Sequence, residues 1–337
     1  MADLLKLLTA FLVLSSTGAC RAQPDVGVTG APLVLERTIP LSGVRGRIDH
    51  MAIDPAHRRV FIAELGAGSV EAVDLAGGFS LGRVSDLKEP QGVAYLPARD
   101  ELAVASGGDG SVRFFRARDL APVGRVTLGA DADNMRVDGQ GRIVVGYGSG
   151  ALAVIDPASL RVVARLDLPA HPEAFALGVA KVFVNLPDAR TIVVGDLTNG
   201  RIVARWPAGH LWNFPMALDA GGGRLAVVFR LPARLQLLDT SSGAVSLDRS
   251  TCGDADDVAF DQRRGLVYVI CGAGAIDDID PARSQGSTRI RTRDGARTGL
   301  YAPDLDRLLV AAPARGSEGA ALLVYRPVGP KPAPGPP

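Results

Sequence analysis

The sequence predicts an all-β chain folded as a seven-bladed β-propeller, with the last blade closed by an N-terminal strand, residues 33–40. Three observations lead there. A unit of about 42 residues recurs seven times. Each complete unit carries four short strand-like runs. The seventh unit lacks its fourth strand, while a spare strand stands before the first.

The clearest copy is GRIDHMAIDPAHRRVFIAELGAGSVEAVDL, residues 46–75. Aligned on the apolar run after the polar opening, His50 falls in register with Gly92, Asn134, Glu173, Pro215, Asp257 and Thr298. Within the copies the apolar runs are short and several alternate with polar residues, as in VFIAE and VEAVD. That is the two-residue period of a strand. Runs such as RVVARLDL (161–168) and RIVARW (201–206) supply a fourth strand. The seventh copy provides GLYAP, RLLVA and ALLVYR and then passes into VGPKPAPGPP. Completing it with LVLERTIP (33–40) removes an exposed sheet edge. The propeller is therefore expected over 33–327, with a disordered Pro-rich tail over 328–337.

These units resemble the YVTN-type repeats of bacterial YncE-like propellers, a group similar in turn to the β-propeller of quinoprotein amine dehydrogenases. ELGAGSVEAVDL (64–75), GYGSGALAVIDP (146–157) and LPARLQLLDTSSG (231–243) carry the likeness. It covers residues 33–326 and implies the fold. Propellers host many activities, so function must be argued from a site.

The N-terminus reads as an export signal over residues 1–22. Lys6 precedes LLTAFLVL, an apolar run too short for a membrane helix, and small residues follow it. Two processing routes stay open: lipidation at Cys20, after the lipobox-like Thr17-Gly18-Ala19, or cleavage after Ala19 or Ala22. Residues 23–32 form a linker. A periplasmic or secreted protein is expected, with a lipid anchor if Cys20 is modified, and a monomer. No second long apolar run follows the signal, so no later transmembrane segment is expected. The formal net charge is +1 and the arginines are spread among acids, which excludes the basic stripe of a nucleic-acid binder.

In a propeller the first strand of each blade lines the central channel, and the residues leading into it stand at the channel mouth. The openings carry Arg47, Asp49 and His50; Glu89 and Gln91; Asp131, Asp133 and Asn134; His171 and Glu173; His210 and Asn213; Asp254, Asp256 and Asp257; and Arg297. The copies share the body of the strand and differ here, in groups that ionise or coordinate. The plain alternative is turn chemistry, because Asp and Asn bond their own backbone at such places.

Two uses of the mouth follow. In one, His50, His171 and His210 hold a divalent metal, since imidazole with carboxylate suits Zn, Cu, Fe or Ni. No pair of these histidines has local ligand spacing. In the other, Arg47 and Arg297, from blades adjacent in the ring, grip the carboxylate of a small anion. Glu89, Asp133 or Glu173 then serves as base and His50 as acid. The leading expectation is a ligand, metal or periplasmic protein partner bound at the mouth through Arg47, Asp49, His50, Gln91, Asp133, Asn134, Glu173, Asn213, Asp256, Asp257 and Arg297. A lactonase- or lyase-like enzyme and a protein-interaction scaffold are the alternatives. There is no C-x-x-C-H haem motif. GGDGS (107–111) joins two strands and reads as a hairpin turn, where a phosphate loop would open a helix.

Cys252 precedes the first strand of the sixth blade and Cys271 ends the second. Both are nearly equidistant from the turn near Arg263, so they face each other across the hairpin. Export favours a disulfide there, worth about 3 kcal/mol in the chain-entropy model. The alternative is two buried free thiols.

Overall fold

The computed structural model describes residues 32–219, 221–283 and 287–329. The export signal, Cys20 and nearly all of the linker lie outside these residues, as does the tail from residue 330. Among the described residues there is no helix long and apolar enough to cross a membrane.

Among the described residues, twenty-eight strands form seven four-stranded antiparallel sheets arranged as a seven-bladed propeller. Six sheets use four consecutive strands. The seventh has the N-terminal strand Leu33–Pro40 as its outer member, paired with Ala321–Pro327, which pairs with Arg307–Ala312 and then Thr298–Ala302. This is the closure expected from the sequence. The innermost strands are Met51–Asp54, Pro90–Leu96, Met135–Val137, Phe175–Leu177, Leu211–Leu218, Ala255–Asp261 and Thr298–Ala302.

Side-chain chemistry follows radial position. The second strand of a blade is covered on both faces, and RVFIAE and ELAVAS are buried at every residue. A strand buried on two faces reads as a continuous apolar run. Outer strands face solvent, and RIVARWP alternates between exposed and half-buried positions. The core is divided among the blade junctions. Ile39, Val44, Met51, Ile62, Leu309 and Leu322 pack together where the seventh blade meets the first.

Ionic contacts at the channel's far end join blades as well. Arg59 bonds Asp54 of its own blade and Asp100 of the next, with Nη2 at 2.6 and 2.9 Å. Arg264 repeats this between Asp261 and Asp306 at 2.8 and 2.7 Å. His57 sits in the same turn beside Asp54, on the surface as its sequence position implies.

Cys252 and Cys271 form a disulfide, with Cα atoms 5.9 Å apart. Their route to each other is less direct than hairpin pairing. Cys271 is opposite Ala255, and a bulge lies between Ala255 and Asp257. Cys252 reaches back toward it while its N–H donates to Asp277 Oδ2 at 2.7 Å.

Candidate functional site

Strand pairing corrects one register. Met51 pairs with Ile62, Met135 with Val145, Phe175 with Val184 and Met216 with Val227. The equivalent of His50 in the fourth blade is therefore Ala174, and Glu173 stands level with Asp49 and Asp133. Backbone bonding agrees. The Glu173 N–H donates to Asn185 as Asp133 does to Gly146 and Asp49 to Ala63. One residue per blade then forms a ring: Asp49, Gln91, Asp133, Glu173, Phe214, Asp256 and Arg297.

Six members of that ring line a polar cavity of about 240 Å³ at the channel mouth, with Arg47, Asp131, His171 and Arg230 above them. All seven blades contribute. Asp49, 2% exposed, lies beneath and is held by Arg47 at 2.9 Å. Asp256 is clamped between two guanidinium groups, Arg230 and Arg297, the latter at 3.1 Å. Arg297 also reaches Asp254 at 3.2 Å, and Arg230 lies 4.0 Å from the Phe214 ring centre. His171 Nδ1 is 2.6 Å from the Gly148 carbonyl oxygen and 3.6 Å from Asp131. Gln91 donates to Asp131 at 3.5 Å.

Enclosure shapes the titration of these groups. Burial, with Asp49, Glu173 and Asp131 close by, holds the Asp133 carboxyl well above its ordinary range. Burial also raises Glu173, against the pull of His171, Arg230 and Arg47. It raises Asp256 despite Arg297 and Arg230. Arg47 moves the other way: burial would lower it, but Asp49, Asp256, Asp133 and Glu173 outweigh that. The mouth thus combines fixed cations with carboxyl groups able to exchange protons nearer neutrality.

Below this ring the channel narrows. Gly92 belongs to the neck because a Cβ there would meet the Asp133 carbonyl oxygen at 2.1 Å. His50 Nε2 lies 3.8 Å from Asp49 and 3.9 Å from Asp133, and burial lowers its pKa. Asp257 accepts the Gly299 N–H at 2.7 Å. Burial pushes its carboxyl well above the usual range. Asn134 accepts from Arg136 Nη1 at 2.6 Å.

Of the residues expected at the mouth, Arg47, Gln91, Asp131, Asp133, His171, Glu173, Asp256 and Arg297 line the cavity. Asp49, His50, Asn134 and Asp257 lie beneath it, Asp254 stands outside its lining beside Arg297, and three more lie elsewhere. Asn213, fully buried, turns into the blade and donates to Asn185 Oδ1 at 3.0 Å. His210 lies beside Asp248 at 3.0 Å and edge-on to Phe229. Glu89 is exposed outside the cavity and has a left-handed backbone, φ 54°. His50, His171 and His210 are not assembled into one cluster. Among the described residues no group of three or more His, Cys, Asp or Glu side chains is arranged to hold a metal ion.

Arg230 and Phe214 escaped the sequence reading. Arg230 stands one residue before the end of a second strand, Arg224–Leu231, three residues beyond Val227, and so lies outside the openings. A signal was present: the equivalent residues are Leu65, Gly107, Gly148, Pro187, Gly272 and Pro313. An arginine in a row otherwise made of turn residues and one leucine marks a special use.

No protein-family profile matches the chain, and no curated protein matches it. Among solved structures it is similar to hydrazine synthase of Kuenenia stuttgartiensis, with a TM-score of 0.70 and 17% identity. The match covers 81% of this chain and 95% of that one. It is one of 1716 matching solved chains, which marks the likeness as one of architecture. The propeller fold suits ligand or protein binding.

Proposed function

We propose that this protein is an exported propeller of the YVTN/YncE-like type that binds a small polar ligand at its channel mouth. The observation that carries this reading is the convergence of side chains from all seven blades on one polar cavity of about 240 Å³. Arg47 and Arg297 flank it on neighbouring blades, and Asp133 and Glu173 face them with raised carboxyl pKa values. A ligand with a carboxylate and a hydrogen-bond donor matches both sides. The disulfide is compatible with an extracellular or periplasmic location, and the N-terminal segment supports export.

The test is native mass spectrometry of protein recovered from the periplasm of its own host, followed by release and identification of any bound small molecule. Wild type is expected to carry a ligand that the Arg47→Gln/Arg297→Gln double variant, folded by circular dichroism, does not. Equal occupancy of both proteins, or none in either, would overturn the reading.

A second reading is acid–base catalysis on that ligand. It is favoured by one contact: Asp133, its carboxyl raised, lies 3.9 Å from His50 Nε2. Turnover of the identified ligand that disappears in Asp133→Asn, with binding retained, would establish it.

A further inference from the structure

On the far side of the neck lies a second and larger cavity, of about 790 Å³. Its walls follow the blade register. Two residues beyond Met51 and its equivalents stand Ile53, Tyr95, Val137, Leu177, Leu218, Phe260 and Tyr301, all apolar or aromatic. Five of them line the cavity: Val137, Leu177, Leu218, Phe260 and Tyr301. They form a collar just inside the open end of the chamber, where Gln262, Arg263 and Pro303 also line it.

One residue nearer the neck the ring reads Ala52, Ala94, Arg136, Ala176, Ala217, Ala259 and Leu300. Five blades place alanine there and one places leucine. The third blade places an arginine. The alanines leave space at the axis, and Arg136 lines it. Its guanidinium carbon lies 5.6 Å from the Phe175 ring centre. Nη1 donates to Asn134 Oδ1 at 2.6 Å and to the Met135 carbonyl oxygen at 2.7 Å. Those bonds hold the group in place without neutralising it. No Arg136–carboxylate pair within 4 Å occurs among the described residues.

Burying a cation without a paired anion is unfavourable, and a propeller does not need one here, since the other blades manage with alanine or leucine. Burial lowers the Arg136 pKa, while Asp257 and Asp133, neither within ion-pair distance, oppose that fall; arginine stays charged in proteins. The remaining N–H groups of its fork can meet a carboxylate. Asp257 and His50 flank it at the closed end. Burial raises the Asp257 carboxyl against the pull of its Gly299 N–H bond and of Arg136, and lowers the His50 imidazole. A chamber of this size, apolar at the collar and with a few convergent polar groups at its floor, has the character of a small-molecule site.

We propose that this chamber is a second binding site, specific for a monocarboxylate with an apolar body, whose carboxylate is held by Arg136 while the body rests against the Val137–Leu177–Leu218–Phe260–Tyr301 collar. It is separate from the polar mouth and does not depend on what the mouth binds.

The experiment is calorimetric titration of the full mature chain with decanoate, and with decanol and decyltrimethylammonium as uncharged and cationic probes of the same body. Wild type is expected to bind decanoate at one site, at least tenfold more tightly than either. Arg136→Ala gives the third blade the residue common in this ring, so it should fold with undiminished stability and lose that tenfold preference. Leu300→Glu, which puts a carboxylate in the same ring, should weaken decanoate by a similar factor and spare decyltrimethylammonium. The proposal falls if decanoate fails to saturate, if it binds no tighter than decanol, or if folded Arg136→Ala retains the preference.

Discussion

Thr298 donates its hydroxyl to the Ile48 carbonyl oxygen at 3.0 Å, joining the inner strand of the last blade to the opening of the first across 250 residues of sequence. At the rim of the same blade, Arg307 Nη2 donates to Glu36 Oε1 at 3.0 Å. Ring closure is thus made twice, at the axis and at the rim. Ile39, 1% exposed, packs in the core at this junction. Ile39→Ala should lower unfolding free energy by about 2–5 kcal/mol. Urea denaturation measures it, and removing residues 33–40 should abolish cooperative unfolding of the ring.

The disulfide spans 19 residues beside the acidic opening of the sixth blade. Its loss in Cys252→Ser/Cys271→Ser should cost about 2–4 kcal/mol. The same fall in urea midpoint is expected for wild type under reductant and absent in the double variant. A wild-type midpoint insensitive to reductant, with thiols shown to be free, would contradict this.

Arg264 ties the sixth blade to the seventh through Asp261 and Asp306, and Tyr268 donates to Asp261 at 2.8 Å. Asp261 is fully buried. Arg264→Ala leaves that carboxylate without its cation, so a loss of about 3–5 kcal/mol is expected in denaturant unfolding. Arg264→Ala/Asp261→Ala should recover part of it.

Glu64 predicts a pH dependence. It is fully buried, with Glu71 close by, and these raise its pKa to about 7. Ser69, donating at 2.5 Å, and Arg83, at 3.1 Å, oppose the rise. The folded state therefore keeps a proton that the unfolded state has released. This group's contribution to stability is full below the unfolded pKa near 4.5 and declines as pH rises to about 7. Glu64→Gln should flatten that slope, gaining on the order of 2 kcal/mol relative to wild type between acidic and neutral pH. Thermal unfolding across pH 4 to 8 measures it.

Asp133 can be followed by carboxyl NMR. Burial is the chief cause of its raised pKa, and Asp49 is the foremost of the charges acting with it. Asp49→Asn should lower the Asp133 midpoint while leaving it above that of an exposed aspartate. An unchanged midpoint would show that the Asp49 charge does not reach it.

The architecture can be read along the chain. A repeat near 42 residues, four strand-length runs per unit and the missing strand supplied by Leu33–Pro40 are patterns along the chain, and each has one geometric solution. The same arithmetic brought Cys252 and Cys271 near each other, but Cys271 pairs with Ala255 and Cys252 reaches the disulfide from outside the strand. The openings were legible as a place, and Arg47, Gln91, Asp133, Glu173, Asp256 and Arg297 do meet there. Which side chains turn inward depends on how the blades pack. The step from Asn134 to Glu173 is 39 residues where the two before it are 42; aligning Glu173 with His50 is one residue out, and strand pairing puts Glu173 level with Asp133. Asn213 and His210 share the openings in sequence but turn away, because blade packing and local backbone set side-chain direction. Arg230 and Arg136 belong to no opening. They reach the channel because seven strands converge there, which brings together residues about forty positions apart and gives meaning to a single arginine among five alanines and a leucine.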